Sequence, residues 1–184
     1  MTDYAGVCEK AEHLRKIHGT SDPFEICERM DITVMRRPMG GGSDDCKGFF
    51  VYFCRIPLIM LNSDLSAEMQ RVICAHELGH AVLHRKYSDV YQFQDVSLFN
   101  AADDMEKEAN IFAAELLLTD DAVNETLNSD RTFFEAASSL FVPVELLDFK
   151  FRAMKWKGYK LVDPPTEAVS GFMKDMKDGG VTYD

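Results

Sequence analysis

Residues 74–84 read CAHELGHAVLH, with two histidines four positions apart and a glutamate directly after the first. No other stretch constrains the fold as tightly. On a helix, residues four apart share nearly the same face, about 6 Å apart along the axis, so His76 and His80 can converge on one ion. Imidazole nitrogens hold zinc at about 2.0–2.1 Å. Glu77 points roughly 100° around the helix from His76. From there it can reach a water held by the ion without taking a coordination position, as a general base must.

The surroundings sharpen the point. Val72, Ile73, Gly79 and Leu83 share the histidine face, while Cys74, Leu78 and Val82 cover much of the rest, so the helix is apolar nearly all round. Histidines can sit in such a core without binding anything. Two imidazoles and a carboxylate buried there are nonetheless costly unless a partner compensates, and a metal ion is such a partner. The HExxH pattern is therefore read as a zinc site. His84 lies one turn further on, too far to share the ion comfortably. It reads as a helix-end histidine, favourable near a C-terminus, with a supporting or substrate-contacting role as the alternative.

Catalytic zinc takes three protein ligands and keeps a fourth position for water. No histidine follows His84, so a downstream histidine is excluded and the third ligand must be a carboxylate. The best source is DDMEKEANIFAAELLL, residues 103–118. At about 100° per residue, Glu106 shares a small, apolar face with Ala109, Asn110, Ala113 and Leu117, able to press closely on another helix. Glu108 and Glu115 fall on the opposite side, which reads as solvent. The wheel thus selects Glu106, and Asn110 one turn later can orient a ligand by hydrogen bonding. The alternative is a capping box from Asp103 to Glu106, and Asp103 is a weaker ligand candidate.

Around this pair of helices the pattern predicts an α+β fold with a small antiparallel sheet. Residues 5–17 form a helix, and SDPFEICERM a second, with Asp22 as N-cap, Pro23 in the first position and Glu25 completing a capping box. ITVMRRP, GFFVYFCRI and LIMLN read as strands, bounded by GGGSDD and Pro57. The glycine run is a turn and not a phosphate loop, because no Lys-Ser/Thr follows it. Helices are expected at 66–84, 104–118, 120–127, 132–140 and 144–156, with an irregular segment at 85–102. The expected division is 1–128 as the core domain, 129–160 as a helical extension and 161–184 as a loosely held tail. LIMLN is the expected edge strand for an extended substrate to pair with.

Hydrophobic residues make up 46% of the 184, enough for a sizeable core. The first residues lack a signal-peptide pattern, and no run reaches the roughly 18 apolar residues of a membrane span. Five cysteines without C-x-x-C spacing favour reduced thiols and a cytoplasmic location. Acidic residues exceed Lys and Arg by 31 to 20, for a net charge of −11, which argues against nucleic acid as the main partner. FFEAASSLFVPVELLDFKFRAMKWKGYK has a helix-turn-helix rhythm and carries Lys150, Arg152, Lys155, Lys157 and Lys160. Leu146, Leu147, Phe149, Phe151 and Trp156 mark it as a packing unit whose charges form a solvated face, with contact to DNA phosphates or to an acidic protein surface as the alternatives.

HELGHAVLH followed by EKEANIFAAELLL resembles the ImmA/IrrE family of zinc metallopeptidases. DPFEICERMDITV and the strand ending IMLN fit as well, so the resemblance spans about residues 8–120. It implies a gluzincin-like site with Zn2+ held by His76, His80 and Glu106, and Glu77 as the catalytic base. It further implies a cytoplasmic regulator of phage or mobile-element type whose substrate is a helix-turn-helix repressor. Departures are LLLTD where LLMP is usual, and Asp31 where glycine is common. For further substrate or oxyanion contacts, His84, Tyr87 and Tyr91 are candidates from their nearness in sequence. Two other functions compete: a non-proteolytic antirepressor with a structural zinc, and a DNA-binding regulator acting through residues 131–160.

Overall fold

The computed structural model describes residues 4–42, 45–84, 99–127, 131–161 and 165. Helix α1 (Tyr4–His18) leads to α2 (Pro23–Arg29), which opens as its sequence requires. The Asp22 carboxylate accepts the Phe24 N–H at 2.9 Å, and Pro23 fills the first turn, where a missing N–H does no harm. Glu25 does not complete a capping box. It pairs with Arg29 at 3.0 Å, one turn along the same exposed face. At the far end the Ile32 N–H donates to the Cys27 carbonyl and the Asp31 N–H to that of Glu28. This Schellman ending puts Asp31 at φ 55°, a left-handed position where glycine is favoured on steric grounds.

Three strands follow: β1 (Thr33–Arg37), β2 (Gly48–Phe53) and β3 (Ile56–Asn62), in the spatial order β1-β3-β2. The sheet is mixed and not antiparallel: β1 runs parallel to β3, and β2 antiparallel to it. The cause lies in the connection at 38–47, which carries the chain over the end of β3 and back down its other side. Asn62, fully buried, holds that connection. Its side-chain N–H groups donate to the Gly40 and Cys46 carbonyls, and its side-chain oxygen accepts from the Met39 and Asp64 N–H groups. The glycine run is thus a crossover organised by one amide.

The strand break also differs from expectation. It falls at Cys54–Arg55, both with positive φ, in a two-residue turn closed by Phe53 and Ile56, while Pro57 sits inside the ladder opposite Tyr52. LIMLN therefore belongs to the central strand and cannot offer an edge. Among the described residues, β2 pairs with β3 alone and is the margin that lies along the next helix.

That helix is α3 (Ala67–Leu83), capped by Ser66, whose hydroxyl accepts the Met69 N–H at 3.3 Å. Gly48 lies against Ile73 of α3, and Tyr52 shares a cavity with Ala81, so β2 and α3 run in the same direction. Helix α4 (Phe99–Leu117) packs on α3, followed by α5 (Asp120–Leu127), α6 (Phe133–Ser139) and α7 (Val144–Trp156). Thr132 and Glu135 form a reciprocal capping box at the start of α6. Helix α7 packs on α4 and α1, and its Leu146, Leu147, Phe149 and Phe151 are buried in the common core. Trp156 is half-exposed and stacks on Tyr4 of α1, with ring centroids 4.2 Å apart.

Two charges expected at the surface are inside. Glu115 is fully buried and accepts from Lys150, also fully buried, at 2.8 Å and from Lys157 at 2.7 Å. Asp120 joins Lys150 and Lys157, and Glu12 of α1 pairs with Lys157 at 2.8 Å. Burial works against the Lys157 cation, yet its bonds to Glu115 and Glu12 hold its pKa above the usual lysine value. The cluster ties α1, α4, α5 and α7 together. Removing one partner of a buried pair strands the other charge, so Glu115→Ala is expected to destabilise the fold by about 3–5 kcal/mol. Urea denaturation followed by circular dichroism measures this, and an unchanged midpoint would refute it.

Candidate metal centre

Helix α3 is buried along an unbroken run from Val72 to Gly79, which places His76 and Glu77 among apolar neighbours. His80, one turn on from His76, is half-buried. Their Nε2 atoms approach within 3.1 Å. The third member comes from α4, which begins at Phe99. Asp103 is thus inside the helix and cannot cap it, which removes the capping alternative for Glu106. Glu106 instead reaches α3, with Oε2 3.5 Å from His76 Nε2 and Oε1 3.6 Å from His80 Nε2.

These distances bear on the fit of an ion. Donors bonded at 2.0–2.1 Å and arranged tetrahedrally lie about 3.3 Å from one another. The separations of 3.1, 3.5 and 3.6 Å scatter around that value. Together the three residues form a group able to hold a metal ion. Charge points the same way. Burial drives the His76 pKa down, but bonding to Glu106, the negative charges of Glu77 and Glu106, and a hydrogen bond with Asn110 outweigh it and raise the pKa above the ordinary histidine value. The pocket favours positive charge at this position. A metal cation would supply it and would compete with the proton.

What lets α4 come so close is Gly79. A Cβ at that position would lie 3.2 Å from the Cα of Ala109 and 3.1 Å from the Phe112 ring. The small face selected by the helical wheel is therefore the contact face, and Ala109, Asn110 and Ala113 are all buried in it. Asn110 follows Glu106 by one turn and is fully buried, and its amide favours the charged form of His76. The opposite face of α4 is not the solvent face that the sequence pattern predicts. Glu115 is in the interior, and Glu108 is half-buried, 3.6 Å from His84. Tyr87 and Tyr91 lie outside the described residues.

Three cations of the basic C-terminal face are engaged in ion pairs. Lys150 is enclosed, Arg152 pairs with Asp148 at 2.6 Å, and Lys157 is shared by three carboxylates. A feature missed in the sequence is a cavity of about 270 Å³ beside the end of α3, lined by Met30, Asp31, Ile32, Tyr52, Pro57 and Ala81. No local motif announces it, since its walls come from three separate stretches. Among the described residues no helix is long and apolar enough to cross a membrane.

The close approach at Gly79 yields a direct test. In Gly79→Ala the new methyl group meets main-chain atoms of Ala109, and α4 must give by a few tenths of an ångström, shifting Glu106 with it. Alanine favours a helix over glycine by about 0.5–1 kcal/mol, so the helix itself should persist. Metal affinity, measured by chelator competition, is expected to fall by at least about tenfold. Undiminished affinity would show that the helix spacing does not govern the site.

Comparison with known proteins gives the family of the chain. The IrrE N-terminal-like domain, a peptidase family, matches residues 27–152, a span that takes in α3, α4 and most of α7. An immunity region protein of Bacillus phage phi105 is 33% identical over 147 residues, covering 80% of this chain and 90% of that protein. Metallopeptidase ImmA of Bacillus subtilis is 28% identical over 148 residues, covering 79% of this chain and 83% of its own length. With both the match and the paired helices in place, the chain belongs to the IrrE N-terminal-like family of peptidases.

Proposed function

We propose that this protein is a cytoplasmic, zinc-dependent endopeptidase that cleaves a helix-turn-helix repressor and so relieves repression. The observation that carries the reading is the convergence of His76, His80 and Glu106 on one point, with Glu77 next to His76 on the same buried helix. Its likeness to a metallopeptidase and to a phage immunity region protein supports the peptidase class and a role in immunity control.

In this reading His76, His80 and Glu106 are the ligands, and Asn110 orients the His76 ring. A zinc ion held there supplies Lewis acidity toward a peptide carbonyl and lowers the pKa of water. Glu77 takes the proton of the attacking water and returns it to the departing amine. Its burial strengthens both roles, because a carboxylate screened from bulk solvent acts on its neighbours at low dielectric. An extended substrate would pair with the outer edge of β2, which lies along α3, in place of the central strand LIMLN.

The test uses purified protein, a candidate helix-turn-helix repressor from the same genome, and the Glu77→Gln variant. Glu77→Gln should retain a full complement of zinc by elemental analysis while repressor cleavage falls by about 10²–10⁴-fold. Chelation should abolish cleavage by the parent protein, and added zinc should restore it. If Glu77→Gln relieves repression as well as the parent, the proteolytic mechanism is wrong and sequestration is the mechanism.

A further inference from the structure

His84 closes α3, but it does not behave as a solvated helix-end histidine. Its backbone N–H donates to the His80 carbonyl at 2.9 Å. The side chain is buried, only 7% exposed. The ring reaches across to α4 and hydrogen-bonds the backbone carbonyl of Met105, the residue before Glu106. Nε2 is buried without a hydrogen-bond partner, 3.6 Å from a Glu108 carboxylate oxygen, so the nitrogen that donates to Met105 is Nδ1.

This bond supplies something the Gly79–Ala109 contact cannot. Two small residues in contact fix how far apart the helices lie, but they permit one helix to slide or turn against the other. One residue of slippage moves a helical side chain by about 1.5 Å along the axis and 100° around it. Metal–ligand distances tolerate only about 0.2 Å. A directional hydrogen bond made next to Glu106, from a residue itself bonded to His80, removes that freedom.

We propose that His84 is a positioning residue that sets the register of α4 against α3 and thereby places the Glu106 carboxylate opposite the histidine pair. The proposal rests on the reading of His76, His80 and Glu106 as metal ligands. His84 supplies no ligand atom. It acts through the backbone of Met105.

The experiment compares His84→Asn, His84→Gln and His84→Leu with the parent protein. Zinc affinity is measured by chelator competition, and the visible spectrum of the Co2+-loaded protein reports coordination geometry. The asparagine amide nitrogen occupies nearly the place of Nδ1 and can still donate to Met105. His84→Asn is therefore expected to stay within about threefold of the parent, with the parent's cobalt spectrum, whereas His84→Gln and His84→Leu weaken binding by about 10–100-fold and alter the spectrum. The Asn and Gln variants, alike in polarity, decide the matter even if the leucine variant does not fold. Parental affinity and spectrum in His84→Gln, or a loss in His84→Asn as large as in His84→Gln, would overturn the role of His84. A parent protein that binds neither ion would overturn the metal-centre reading itself, and the role of His84 with it.

Discussion

The structure depends on how closely α3 and α4 approach. A cluster of two imidazoles and two carboxylates in an apolar setting is unstable unless each group meets opposite charge or a hydrogen-bond partner. His76 and Glu77 are buried on α3, and the carboxylate that faces His76, that of Glu106, comes from α4. That exchange requires near contact of the two backbones, which Gly79 and Ala109 permit. The sheet and α2 pack on α3, and α1 and α7 pack on α4.

Helix α4 is held at both ends by charge of different kinds. Near its start, Glu106 faces the histidine pair. Nine residues later, about 13.5 Å along the axis, Glu115 is locked between Lys150 and Lys157. A buried ion pair is weak evidence for net stability, but it specifies one arrangement over its neighbours, since any shift separates desolvated charges. The same helix thus carries a candidate chemical end and a structural end. Arg15 of α1 adds a hydrogen bond to the Glu115 carbonyl and fixes the latter from a second direction.

The sequence was most legible where a period governs the outcome. Most helix boundaries fell within two residues of expectation, although α4 begins at Phe99, inside the stretch expected to be irregular. The wheel put Glu106, not Glu108, on the face toward the histidines because side chains four apart on a helix share a face. The same wheel misplaced Glu115. It assumed that α4 had one packed side, whereas α1 and α7 cover the face opposite α3, so Ile111 through Leu116 are all buried. A lysine 35 residues away balances that charge, and no local pattern predicts such a partner. The sheet was less legible. A hairpin turn of Cys54 and Arg55 lacks the glycine or asparagine that usually marks positive φ, so the break was assigned to Pro57. Strand order depends on where a ten-residue connection returns, and that is settled by Asn62, a residue that reads as the end of a strand and nothing more.

The Asn62-held crossover has a consequence for the polarity of anything bound at the margin of the sheet. Because the chain is carried over β3 before β2 begins, β2 starts beside Ile73 and ends near Ala81, travelling with α3. A peptide joining β2 in antiparallel fashion, the more stable of the two pairings, would lay its amino-terminal half toward Ala81 and its carboxyl-terminal half toward Ile73. The direction of any peptide bound at that margin would therefore follow from a crossover held by a single side-chain amide at the end of the central strand.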